Sequence, residues 1–140
     1  MFELHHRLTS DTSFLADWPL CRVLLMNDAR YAWLILVPRR EALREIHELS
    51  SPERQQLIEE IASASQALGS VAQFDKINVG ALGNLVPQLH IHVIARRADD
   101  AAWPGPVWGQ GTAIPYSDEQ KQTLVCELQS VLASALADSA

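Results

Sequence analysis

Residues 87–97 read PQLHIHVIARR. Two histidines, His90 and His92, sit two positions apart in an otherwise apolar run, with Gln88 two residues before the first. In a strand, alternate residues share a face. Gln88, His90 and His92 are therefore expected to point one way and Leu89, Ile91 and Val93 the other way, into a core. A rise of about 3.3 Å per residue puts same-face neighbours about 6.6–7 Å apart, so two imidazoles can act on one small group. Four readings fit such a pair. The rings can be satisfied core or half-exposed histidines. They can be metal ligands, which needs a third donor; His5, His6, His47 and the acids are candidates that the sequence does not place. They can be a general acid–base pair near neutral pH. Or one can be a nucleophilic imidazole, which needs a neutral ring, an orienting group and anion-binding donors nearby.

The loop before the strand favours the last of these. NVGALGN (residues 78–84) brings Gly80, Gly83 and Asn84 to the strand's entrance. Glycines let backbone N–H groups approach an oxyanion closely, and the Asn84 amide adds a donor. An ordinary hairpin link would also use such glycines.

Working outward, CRVLLMN (21–27) and AWLILVP (32–38) read as two strands joined by NDARY, whose Asn27 and Asp28 favour a turn. Pro38 closes the second strand. SSPERQQLIEEIASASQAL (50–68) reads as a helix, with Ser51 as cap, Pro52 in its first turn, Glu53 near its positive end, and Gly69 as its stop. Leu57, Ile58, Ile61, Ala64 and Leu68 supply its apolar stripe. FDKINVG reads as a third strand and QLHIHVIA as a fourth. A loop rich in Gly, Pro and Trp follows, and then a terminal helix over SDEQKQTLVCELQSVLASAL. Ser117 and Gln120 have capping-box spacing, and Leu124, Leu128, Val131 and Ala135 share a face. FELHHRL at the start fits either a short helix or an irregular segment. The order strand, strand, helix, strand, strand, helix predicts an α+β fold: an antiparallel sheet with helices packed on one face, in a single domain spanning 1–140.

A length of 140 residues, 48% apolar and 20% charged, suits one globular core. No apolar run reaches membrane-spanning length, and MFELHHRLTSD lacks the apolar centre of a signal peptide, so a cytoplasmic protein is expected. A net charge of −6 argues against binding a nucleic-acid polymer by its backbone, while a few local donors can still hold a nucleotide phosphate. Cys21 and Cys126 have no metal-site spacing and are expected to be buried thiols.

QLHIHVI resembles the histidine-triad motif, in which histidine alternates with apolar residues three times before two further apolar positions. The strand pair ending in LVP, the mid-chain helix and the Gly-containing loop extend the resemblance over residues 20–97. It implies a homodimeric α+β nucleotidyl hydrolase or transferase acting at a nucleoside α-phosphate. By resemblance, His90 is the nucleophile that forms a covalent nucleotidyl-imidazole, and His92 binds phosphate and assists the leaving group. Gln88 stands where the first triad histidine belongs; its backbone carbonyl is retained and can fix the His90 tautomer. Asn84 and Gly83 match the phosphate-side loop, and Asn27 resembles the residue that meets the ribose. Trp33 stands where many members carry another histidine, and either narrows the pocket, stacks on a base or fills the core. Arg30 is a candidate phosphate ligand; Trp103 and Trp108 either cover a ligand or pack a dimer. The implied ligands are a nucleoside phosphate or dinucleoside polyphosphate. No cofactor is required, although magnesium can accompany a polyphosphate. The rivals are a nucleotide-binding module with little turnover, marked by Gln88, and a metal-dependent hydrolase built on the HxH pair.

Overall fold

The computed structural model describes residues 1–139. Its elements, in order, are α1 (His6–Asp11), β1 (Thr12–Asp17), β2 (Cys21–Met26), β3 (Ala32–Pro38), a 3-10 turn (Ile46–Glu48), α2 (Ser51–Val71), β4 (Lys76–Gly80), β5 (Ile91–Arg96) and α3 (Asp118–Ser139). The five strands form one antiparallel-paired sheet in the order β1-β2-β3-β5-β4. The chain leaves β3, crosses over through α2 to the edge strand β4, and returns as β5 between the two. The histidine strand is thereby central, paired on both sides.

The period-2 reading of that strand holds in three dimensions. Leu89, Ile91 and Val93 join the core under α2 and α3, where they meet Leu57, Ala64, Leu68, Leu128 and Leu132. Ile94 faces the other way, with Trp33, Ile35 and Val107. Helices cover one face, as expected. The N-terminal segment and the 100–113 loop cover the other.

Several boundaries differ from the sequence reading. β5 begins at Ile91 rather than near Gln88, because the Leu89 N–H donates to the Leu43 carbonyl and leaves the ladder. His90 thus emerges at the strand's open end. β1 is an additional strand; it is an edge with a bulge between Phe14 and Ala16, and only Leu15 in it is buried, so its apolar alternation is faint. The open N-terminal segment forms α1. The cap of α2 is Ser50, not Ser51: its hydroxyl accepts from the Glu53 N–H while the Glu53 carboxylate accepts from the Ser50 N–H. Gly69 does not end α2, which runs on to Val71. A Cβ at Gly69 would lie 2.7 Å from the Phe74 ring, so close packing explains the glycine.

Ile58, expected in the apolar stripe of α2, faces outward, and an acid of the same helix is buried. Ile58 is 62% exposed, while Glu60 is 2% exposed. The Glu60 carboxylate accepts the N–H groups of Leu20 (2.9 Å) and Cys21 (2.8 Å) at the entrance of β2, and the Gln56 amide at 2.7 Å. Cys21 is buried, but Cys126 is exposed, because α3 directs Leu128 and Leu132 inward instead. Among the described residues, no helix is long and apolar enough to cross a membrane.

Candidate active site

His90 and His92 lie 4.9 Å apart, ring centre to ring centre, edge to face. Each is 7% exposed. Their outer nitrogens are set by opposite partners. Nδ1 of His90 is 2.7 Å from the Gln88 carbonyl oxygen. A carbonyl only accepts, so this Nδ1 carries the proton and Nε2 keeps its lone pair. Nδ1 of His92 instead accepts the indole N–H of Trp33 at 3.0 Å. The neutral His92 ring therefore carries its proton on Nε2. Burial, and secondarily the charge of His90, push the His92 pKa down to about 4. The rings of Trp33 and Trp108 flank it at 5.5 and 5.3 Å.

Beside His90 opens a cavity of about 490 Å³, within the usual size of a small-molecule site; His92 lies behind His90 and Trp108 and is not on its wall. His90 stands on its wall, with Gly83 and Asn84 from the loop before β5. Gly83 has φ +73°, a left-handed conformation that favours glycine. Met26, Val107 and Trp108 give apolar surface, and Asp28 and Arg30 a polar corner. The Trp108 indole nitrogen is buried without a hydrogen-bond partner. At Gly80, a Cβ would lie 2.8 Å from the Trp108 ring, which explains the absence of a side chain there.

The sequence-derived residues fare differently. His90, Asn84, Gly83, Arg30 and Trp33 converge on this cavity. Asn27 does not reach its wall; its side-chain oxygen accepts the Tyr116 N–H at 2.9 Å, and its neighbour Asp28 lines the cavity instead. The Gln88 side chain also turns away. Its amide donates to the Glu3 carbonyl (2.8 Å) and accepts the His5 N–H (2.8 Å), fastening the N-terminal segment to the site's rim. A primary amide offers donor and acceptor side by side, which matches two backbone groups of an extended segment. Only the Gln88 backbone serves His90. Trp33 is a buried aromatic that also carries a hydrogen bond to a site histidine, a task beyond the filling, narrowing or stacking expected of it.

Arg30 makes a bidentate pair with Asp28, at 3.0 and 2.9 Å, and donates to the Gln110 carbonyl at 2.7 Å. Hydrogen bonding to Asp28 raises the Arg30 pKa. Its charge is thus balanced, and it ties the β2–β3 link to the 109–111 loop. Trp108 lines the cavity, whereas the Trp103 ring lies against the Arg96 guanidinium. Arg96 is itself buried and paired with Asp100, whose pKa this hydrogen bonding lowers to about 2. Among the described residues, no three His, Cys, Asp or Glu side chains gather as a metal site.

Comparison with known proteins agrees with the geometry. The HIT domain family model matches residues 7–99. A histidine triad protein from Bradyrhizobium japonicum is 46% identical with a TM-score of 0.90, covering 94% of this chain and 98% of that one. One from Marinobacter aquaeolei is 47% identical with a TM-score of 0.92, covering 96% and 98%. A third, from Sinorhizobium meliloti, is 43% identical with a TM-score of 0.89, covering 92% and 96%. A comparison with curated proteins returns no match. The matched segment contains both site histidines and every strand of the sheet, and these solved structures share the fold over nearly their whole length: the chain belongs to the histidine-triad (HIT) domain family.

Proposed function

We propose that the protein is a nucleotidyl hydrolase or transferase that works through a covalent nucleotidyl group on His90. The observation that carries this reading is the pair of opposite tautomers. The Gln88 carbonyl leaves Nε2 of His90 with a lone pair for attack, and Trp33 leaves Nε2–H of His92 as a donor.

The His90 Nε2 lone pair forms a bond to the α-phosphorus as the bond to the leaving group breaks, its electron pair departing with that group; a phosphate leaves as the oxyanion, and an amine leaves neutral after taking a proton from solvent. The imidazolium so formed keeps its Nδ1–H on the Gln88 carbonyl, which stabilises the positive charge. His92 donates to a non-bridging phosphate oxygen; being neutral, it gives a hydrogen bond rather than a proton. Water or another acceptor then attacks phosphorus, loses its proton to solvent, and returns His90 to its starting state. The apolar wall of Met26, Val107 and Trp108 suits a nucleoside. The covalent step uses protein groups alone, with magnesium accompanying a polyphosphate substrate as counter-ion.

Turnover of a fluorogenic nucleoside phosphoramidate and of a dinucleoside polyphosphate tests this. Activity that disappears in His90→Ala is expected. Nucleotide binding without turnover would instead favour a binding module, and turnover that follows stoichiometric zinc or iron would favour a metal-dependent hydrolase. The homodimer and the cytoplasmic location implied by the resemblance belong to the same proposal; sedimentation at micromolar concentration tests the dimer.

A further inference from the structure

His90 stands on the wall of two cavities. The second, about 580 Å³, shares Leu82, Gly83 and His90 with the first but takes its other side from the 44–54 segment, with Arg44, His47 and Arg54. A displacement at phosphorus needs room on two sides of that atom, one for the nucleotidyl group and one for what leaves or enters. Two cavities meeting at one imidazole provide it.

The charge of the second cavity is distinctive in this acidic chain. Arg22, Arg30, Arg39, Arg40, Arg96 and Arg97 are each paired with a carboxylate. Among the described residues, Arg7, Arg44 and Arg54 are the arginines without one, and two of these three line this cavity. The nearest acid, Glu48, makes no ion pair with either arginine; backbone hydrogen bonds lower its pKa, and the charges of His47 and Arg44 add to that. The Glu48 carboxylate accepts the N–H groups of Arg44 (3.1 Å) and Glu45 (2.7 Å), and the Glu45 side chain, also on the wall, accepts the Glu48 N–H. Arg54 donates one N–H to the Leu49 carbonyl. Its remaining donors and the Arg44 fork make no hydrogen bond within the protein, so an anion can engage them in competition with the Glu48 carboxylate. A guanidinium fork matches phosphate oxygens in geometry as well as charge.

Resting on the nucleotidyl-transfer reading, we infer that Arg44, Arg54 and His47 form a subsite for an anionic leaving group, so that the favoured substrate is a phosphoanhydride whose phosphate chain continues from the α-phosphate. On transfer, the His90 Nε2–P bond forms as the bond from phosphorus to the bridging oxygen breaks. That oxygen keeps the electron pair and becomes a terminal oxygen of the departing phosphate, stabilised by the two arginines.

The test uses two substrates with the same nucleoside: a dinucleoside triphosphate, and a phosphoramidate of an uncharged amine. In Arg44→Gln/Arg54→Gln, kcat/KM for the triphosphate should fall about tenfold or more, while the phosphoramidate changes less than about threefold. Equal losses for both substrates, or none for the triphosphate, would overturn the subsite. Inorganic tripolyphosphate provides a reading that needs no turnover. It should bind wild type and bind the double variant about tenfold more weakly. Tripolyphosphate binding that ignores both arginines overturns the subsite. Intact binding with turnover surviving in His90→Ala overturns the covalent reading instead. Matching thermal unfolding of the double variant and wild type is the expected control. If the double variant unfolds early, the single variant Arg44→Gln, at an exposed side chain, takes its place with the same expected selectivity.

Discussion

The Trp33 indole donates to Nδ1 of His92 across 3.0 Å, from the strand next door in the sheet. The two residues are 59 positions apart in sequence. A tryptophan N–H can only donate, so this bond fixes the His92 tautomer as firmly as the Gln88 carbonyl fixes that of His90. Trp33→Phe keeps an aromatic ring but leaves Nδ1 of His92 without its donor. We expect kcat to fall about tenfold with little change in KM, since the lost hydrogen bond orients the group that the proposed mechanism places on the reacting phosphate. Long-range imidazole ¹⁵N spectra should show one neutral tautomer at His92 in wild type and a mixture in the variant. An unchanged tautomer and unchanged kcat would remove Trp33 from the site's machinery.

The His92 pKa, pushed down to about 4, carries a stability consequence. Its reference value is 6.5, so between pH 6.5 and 4 the unfolded chain binds a proton that the folded chain resists. This contribution is fully present above about pH 6.5 and is lost as pH falls through the folded value. At one pKa unit per 1.36 kcal/mol, its ceiling is about 3 kcal/mol. Urea unfolding at pH 7, 5.5 and 4.5 should show a steeper decline in wild type than in His92→Gln; parallel declines would count against a neutral buried His92.

Gln88→Ala separates backbone from side chain. The carbonyl facing His90 stays, while the bonds to Glu3 and His5 go. Turnover should remain within about threefold of wild type, and stability should drop by about 1–2 kcal/mol. Hydrogen exchange should speed up at the His5 amide, which loses its acceptor. A loss of turnover as deep as that of His90→Ala would show that the amide itself takes part in chemistry.

Glu60 provides a structural test away from the site. Glu60→Ala leaves the buried N–H groups of Leu20 and Cys21 without their acceptor. About 2–4 kcal/mol of destabilisation is expected, with a smaller loss in Glu60→Gln, which retains one oxygen. Urea midpoints measure both; equal losses would indicate that the carboxylate's charge, not its acceptor geometry, matters.

The parts of the molecule legible in sequence are those with a short physical period. Alternation along Leu89, His90, Ile91, His92 and Val93 sorts core from site, because extended backbone leading into a central strand puts alternate residues on opposite faces. Helix α2 was visible for the same reason, yet its stripe misplaced Ile58 and overlooked Glu60. The carboxylate is buried because two strand-entrance amides need an acceptor, a demand arising 40 residues away. Strand β1 was hidden by its half-exposed edge. Asn27 and Asp28 were separable only by knowing which one the Tyr116 amide would occupy. The partnership of Trp33 with His92, and the gathering of Arg44 and Arg54 beside His90, are products of register and crossover, and no local pattern announces them.

The most direct measurement is to stop the reaction with acid-free denaturant during turnover of a nucleoside phosphoramidate and map the modified peptide by mass spectrometry. One nucleotidyl group bonded through nitrogen to His90, absent from His90→Ala, is the expected result. Steady turnover with inversion at phosphorus and no adduct on His90 would mean direct displacement by water, and would contradict a covalent role for His90.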